Sequence, residues 1–324
     1  MKWMLGITAA AFAATAVMAG AHQCPIGAAA AAAVPAKLVT SDIDLFWRAY
    51  DLADAATLPD VLEREYLKKG SAGLAEFTRL RIGDSRLLAD AVRRHPRYYA
   101  GLRAQSQRID AYKPAMQAAF DCLRAIYPEA VMPEVYFVIG RMNSAGTVDT
   151  SRLLIGVDMF GRGGAESTAE LGAWHRAVVS PIDRLPFIVA HELIHAQQSA
   201  GGGGTLLAAA LNEGVADFVG ELIAGQNINP QLHEFARHRH PALWREFERV
   251  MRGRDLGGWL YQGERATAEW PADLGYVIGY RIAAAYYERQ PDKRRAVRDM
   301  LNIRDPEAFL EASGYAGLMN ARGQ

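Results

Sequence analysis

The sequence predicts an α+β protein that is mainly helical, and two observations carry that reading. Apolar residues at helical spacing run from Asp42 to about Tyr127 and return from Pro181 onward. Between them, Val135 to Ile139 (VYFVI) and Leu153 to Val157 (LLIGV) are β-branched and aromatic, as strands of a small sheet are. With 324 residues, half of them apolar, the chain is long enough to bury a sizeable core.

Residues 1–21 have the three parts of a secretory signal. Lys2 is the charged start, an apolar stretch runs from Trp3 to Met18, and Ala19-Gly20-Ala21 is an A-x-A cleavage site. Export to the periplasm or medium is therefore expected, with no membrane span left after cleavage. A transmembrane anchor is the alternative, but Gly6, Thr8 and Thr15 interrupt a short apolar run. Cys24 invites lipidation, yet Ala21-His22-Gln23 before it is not the small-residue box that lipidation needs. Residues 22–40 read as a tether, because 27–36 (GAAAAAAVPA) are too featureless for a core.

Residues 41–127 form a helical N-terminal region. Leu45, Phe46, Ala49 and Leu52 mark one helical face, Val61, Leu62 and Tyr66 a second, and Leu87, Leu88, Ala91 and Val92 a third; Pro59, Gly70, Gly83 and Pro96 divide them. Residues 128–324 hold the sheet, with a polar, glycine-bearing stretch from Asn143 to Thr150 between its strands. Further helices follow, broken at Gly201–Gly204, Asn227–Pro230 and Arg252–Gly258. Lysine plus arginine equals aspartate plus glutamate, 36 each, so no net field attracts nucleic acid or anionic membrane. The only cysteines, Cys24 and Cys122, belong to no metal or nucleophile motif; in an oxidising compartment they can pair and tie the tail to the first helical region.

The chemistry concentrates in Pro186 to Ala200 (PFIVAHELIHAQQSA), which has proline at a first helical position, no internal glycine and four glycines after it. Such a helix is apolar almost all round, which leaves His191, Glu192 and His195 as conspicuous exceptions. His191 and His195 stand at i and i+4, so both imidazoles project from one face and can meet a single Zn2+. Glu192 lies about 100° round the helix, suited to serve as a general base toward the attacking water. A catalytic zinc takes three protein ligands, so a third is needed. Downstream, Asn212 to Ala224 (NEGVADFVGELIA) stacks Glu213, Asp217 and Glu221 at i, i+4 and i+8. That arrangement is unfavourable on an isolated helix and becomes favourable facing a cation. Glu213 is assigned to the metal and Asp217 to a ring N–H of a liganding histidine. Glu221 is left as surface, or paired to an arginine.

HELIH followed 18 residues later by Glu213 in an N-E-x-x-x-D frame resembles the thermolysin-like gluzincins. In those enzymes the matching positions are zinc ligands, base and the aspartate behind a histidine. PFIVAHELIHAQQ, NEGVADF and GYVIGYRIA are similar to the bacterial family of predicted secreted zinc-dependent proteases, over about residues 130–320. The resemblance implies a zincin-like fold, with the HExxH helix beside a small sheet, and a peptide or protein substrate. The spacer is shorter than in thermolysin and the C-terminal region unrelated, so substrate preference does not carry over.

Peptide hydrolysis also needs a donor for the oxyanion. Tyr276 and Tyr280, at i and i+4 on a helix from Leu274 to Arg289, are candidates, with core tyrosines as the plainer reading; Gly279 beside them permits close backbone approach. In zincins a strand edge holds the substrate backbone, and Leu153 to Asp158 is the strand expected to do so. His233, His238 and His240 lie among Arg237 and Arg239, whose charge opposes a cation, so a solvated face is expected there. Against a metallopeptidase stand a zinc-stabilised binding or envelope-assembly module and a metallohydrolase of a non-peptide bond. Sequencing the N-terminus of protein recovered from periplasm or medium should give His22 first. An intact Met1 on a membrane-bound product would establish an anchor instead.

Overall fold

The two β-branched runs lie side by side in one sheet, in a computed structural model that describes residues 24–25, 35–149, 151–163, 168–199, 204–261 and 266–322. Residues 1–21, most of the alanine tether and residues 201–203 fall outside these, and so does the expectation of a signal sequence. The sheet has the order β1-β2-β4-β3, with β1 Leu38–Val39, β2 Glu134–Val138, β3 Gly146–Asp149 and β4 Arg152–Gly156. β1, β2 and β4 are parallel, and β3 turns back antiparallel to β4 with Thr147 opposite Leu154.

Strands β2 and β4 are buried on both faces, as their near-continuous apolar sequence requires. Helices α1 (Ser41–Leu52), α2 (Leu58–Val61) and α3 (Ala72–Phe77) come first, and α1 and α3 cover one face of the sheet. α4 (Ser85–Arg94), α5 (Pro96–Ser106) and α6 (Lys113–Ile126) follow, then α7 (Ala173–Val178). α8 (Leu185–His195), the HELIH helix, packs on β3 and β4. Buried tyrosines fix the first helical region to the sheet. Tyr66 Oη donates to the Ile139 carbonyl and accepts its N–H, both at 2.9 Å. Tyr98 and Tyr99 donate to the carbonyls of Asp158 and Gly140, each at 2.7 Å. The change of pattern at Pro128 is therefore a change of secondary structure inside one shared core.

Two expectations about the sheet need correction. Leu153 to Asp158 is not a strand with a free edge: β4 is bonded to β2 on one side and β3 on the other. The edge strands are β1 and β3, and β3, the one against α8, lies inside the stretch expected to be a polar connection. The two cysteines are joined, tying Cys24 to α6 through a Cys24–Cys122 disulfide.

The remaining helices are α9 (Leu206–Ala224), α10 (Pro230–Ala236), α11 (His240–Val250), α12 (Leu274–Arg289), α13 (Lys293–Leu301), α14 (Pro306–Ser313) and α15 (Tyr315–Arg322). None of the described helices is long and apolar enough to cross a membrane. α9 is the central one, apolar all round and gripped between α8 and α12. Glycines let it approach both. A side-chain carbon at Gly220 would stand 3.3 Å from the His191 backbone on α8. One at Gly214 would collide with the backbone of Gly279 on α12, and one at Gly279 with the Ala210 carbonyl. Gly279→Ala is accordingly expected to lower unfolding free energy by about 3 kcal/mol in a urea titration, the overpacking cost. An exposed helical glycine would instead give a gain of about 1 kcal/mol, so a stabilised variant would show that the two backbones are not in contact.

Candidate metal centre

Helix α8 starts with Pro186 in its first turn, where a missing N–H costs nothing, and buries Leu185, Val189, Ala190, Leu193 and Ile194. That burial leaves its polar groups one direction to face. His191 is 5% exposed, and its ring stands edge-on to that of His195 one turn later, with 4.6 Å between centroids. Helix α9 is started by Thr205, whose hydroxyl accepts the Ala208 N–H at 3.2 Å, and stopped by Gly225 at φ 87°. Its register sets Glu213 and Asp217, both buried, opposite the two histidines.

The three expected ligand atoms converge. His195 Nε2 is 3.0 Å from His191 Nε2, and Glu213 Oε2 is 3.2 Å from the former and 3.5 Å from the latter. Nitrogen and oxygen ligands roughly 2.1 Å from a tetrahedral zinc stand about 3.4 Å from one another, so the spacing fits that ion. The far side of each ring faces an oxygen acceptor. His191 Nδ1 is 2.8 Å from Asp217 Oδ1. His195 Nδ1 is 2.7 Å from Gln198 Oε1, and Gln198 Nε2 in turn donates to the Asn212 carbonyl at 2.7 Å. Asn212 Nδ2 also approaches His195 Nδ1, but at 3.4 Å it is the weaker claim. With a proton on each Nδ1, both Nε2 lone pairs point at one another and at a carboxylate. A metal ion, or a proton on one of the rings, satisfies such a point.

Charge states follow the same logic. Burial alone lowers the His191 imidazole, but the carboxylates of Asp217 and Glu213 outweigh it and hold the ring at about 10. Burial raises Glu213, and the two imidazoles reverse this, leaving its carboxyl well below the usual range. Two tyrosines adjoin it. Tyr276 stacks on His191 at 6.1 Å, and Tyr261 Oη donates to Glu213 Oε1. Burial first, and then the Glu213 charge, raise both phenols above their ordinary range, so both remain O–H donors.

The cluster opens into a cleft of about 580 Å³. Glu192 lines it beside the edge strand, and a side-chain carbon on Gly146 of β3 would collide with the Glu192 carboxylate. Among the described residues, His191, His195 and Glu213 form the one group able to hold a metal. Tyr280 is not part of it. One turn beyond Tyr276 on α12, it lines a separate cleft with Glu221 and Arg281, its ring 4.5 Å from that of His233. His233 is thus partly buried against Tyr280 and not solvated, and burial lowers its imidazole. Glu221 is held by Asn227 Nδ2 at 3.1 Å, where surface or an arginine was expected.

Residues 174–310 match a family model described as predicted Zn-dependent protease. The match takes in both metal-bearing helices and α12, and it starts later than the resemblance from residue 130 suggested, beyond the sheet. No curated protein and no solved structure matches the chain.

Several residues at the site escape sequence reasoning. Tyr261 sits 48 residues after Glu213 in a loop, with no periodic pattern to mark it. It has φ 59°, and its N–H donates at 2.7 Å to the carboxylate of Asp273, itself at φ 64°. Two non-glycine residues in the left-handed region, bonded to each other, are a strain that concentrates at functional sites. Asn229 donates to Asp217 Oδ2 at 3.0 Å from the loop before α10. Elemental analysis of the chain purified without chelator should give one zinc per molecule. Glu213→Ala should empty the site, and Asp217→Asn should weaken zinc affinity by about 10- to 100-fold while keeping it measurable. Full zinc in Glu213→Ala would transfer the third ligand to another acid.

Proposed function

We propose that the chain is an exported zinc-dependent peptidase of gluzincin type, with His191, His195 and Glu213 holding the metal. The observation that carries this is the convergence of two imidazoles and a carboxylate in a cleft lined by Glu192 and, beside it, by a strand edge. A zinc ion bound there supplies a Lewis acid that activates water and polarises the carbonyl under attack. The chain's own groups do the rest. Glu192 takes a proton from the attacking water and returns it to the leaving amine. Tyr276, kept as an O–H donor by its surroundings, offers a hydrogen bond to the oxyanion, while Tyr261 gives its one proton to Glu213 Oε1. Asp217 holds His191 in the tautomer that presents Nε2, and Gln198 does the same for His195.

The substrate backbone adds to the free edge of β3, antiparallel pairing being open on the side away from β4. Gly146 is suited to this because it leaves the room beside Glu192 that a side chain would take. Export is supported by the signal-like start and by the Cys24–Cys122 disulfide, since such bonds persist in oxidising compartments.

Glu192→Gln keeps size and hydrogen bonding and removes the base. Zinc content and melting temperature should stay near the parent values, while peptide hydrolysis falls by about 10² to 10⁴. Full activity in this variant would remove Glu192 from the mechanism, and loss of zinc would mean that α8 is wrongly oriented to the metal. A parent chain that binds zinc and cuts no peptide would point to a binding module, or, where another bond is cut on a substrate panel, to a different hydrolase.

A further inference from the structure

Arg81 is the sole lysine or arginine among the described residues lining the metal-bearing cleft, and it stands on a π-helical turn, Thr78–Ile82, outside the region matched by the family model. Its backbone is pinned: the Arg81 carbonyl accepts bonds from Arg141 Nε and Asn143 Nδ2, both at 2.9 Å. Its side chain is pinned too, since Nε donates to Thr147 Oγ1 on β3 at 2.7 Å. Several other arginines spend their charge on an acid. Arg79 pairs with Glu76, Arg103 with Asp51 and Arg124 with Asp121. Arg81 instead uses one nitrogen on a neutral hydroxyl, and among the described residues its two terminal nitrogens meet no carboxylate.

A guanidinium held by Nε keeps its planar end, two terminal nitrogens in a fork, for a carboxylate that arrives end-on. The setting favours an acidic visitor because the acids already in the cleft have other duties, Glu213 toward the histidines and Glu192 beside Gly146. We infer that Arg81 recognises a carboxylate of the substrate within about three residues of the scissile bond. The reach follows from Thr147 lying next to Gly146, which abuts Glu192, at roughly 3.4 Å of strand per residue. The inference rests on the peptidase reading and names the substrate class it would select: peptides carrying an acidic side chain near the cut, or a C-terminal carboxylate there.

Three matched peptides separate the sources: one with glutamate near the cut and an amidated end, one with glutamine and an amidated end, and one with glutamine and a free carboxylate. Cleavage is measured with the parent chain, and binding by fluorescence anisotropy with zinc-loaded Glu192→Gln. The expected preference for one carboxylate peptide over the doubly neutral one is about tenfold, between an exposed ion pair and a desolvated charged hydrogen bond. Arg81→Gln should bring that ratio to about one, and Arg81→Glu should invert it. A variant that loses acidic and neutral peptides alike, with the ratio kept, would make Arg81 only a clamp on β3 and overturn the inference. Cleavage without preference would overturn it and leave the peptidase reading standing. Tenfold tighter binding of a carboxylate peptide with no cleavage by the parent chain would sink the peptidase reading and keep the Arg81 site. Neither binding nor cleavage would overturn both.

Discussion

Everything at the candidate centre depends on how closely three helices approach. Glu213 is 3.5 Å or less from both imidazoles only because α9 lies against α8 with Gly220 on the His191 backbone. Tyr276 stacks on His191 only because α12 presses on α9 at Gly214 and Gly279. A methyl group at either of the last two positions would have to displace backbone and not a flexible side chain, and helices in a core move as rigid bodies. The error would reach Tyr276, less than a turn before Gly279, as a shift of the phenol relative to the ring beneath it. Close packing here serves position first, and stability follows from the same contacts.

The apolar surroundings of α8 and α9 explain why the polar groups are so thoroughly cross-linked. A buried carboxylate or imidazole with no partner costs several kcal/mol, roughly half the net stability of a domain. The chain answers by giving each group a second contact away from the point of convergence: Asp217 and Gln198 behind the histidines, Tyr261 on the free oxygen of Glu213. What remains pointing inward is a set of acceptors. They would repel one another without a cation between them, a metal ion or the proton that keeps His191 charged.

Legibility in the sequence followed the strength of the periodic signal. His191, His195 and Glu213 were readable because polar residues in apolar helices stand out at fixed spacing, and a helix converts spacing directly into geometry. The sheet was readable as two runs but misread as to which strand is open. The most apolar run is the strand buried on both faces, hence interior, whereas an edge strand is short and polar, as Gly146–Asp149 is. Tyr280 was grouped with Tyr276 because i and i+4 share a face, yet one helical turn is about 5.4 Å, enough to put the two phenols in different clefts. Tyr261, Asn229 and Arg81 come from loops or a π-helical turn, where no period ties a residue to a distant partner.

The acidic stripe on α9 shows how one helix reconciles three like charges at i, i+4 and i+8. Taken alone the spacing is unfavourable, and a single cation facing all of them would be the simplest remedy. The chain divides the stripe instead. Glu213 turns to the histidines and Tyr261, and Asp217 to His191 and Asn229. Glu221 turns to Asn227, in a cleft that also holds Arg184 and Arg281. Both asparagines come from the return loop that Gly225 makes possible by ending α9 in the left-handed conformation. Because amides carry no charge, they satisfy the lower two acids without competing for the metal, so the full attraction of the upper end is reserved for the cation. The stop signal of the helix is thus part of what tunes its first acid, about three turns away.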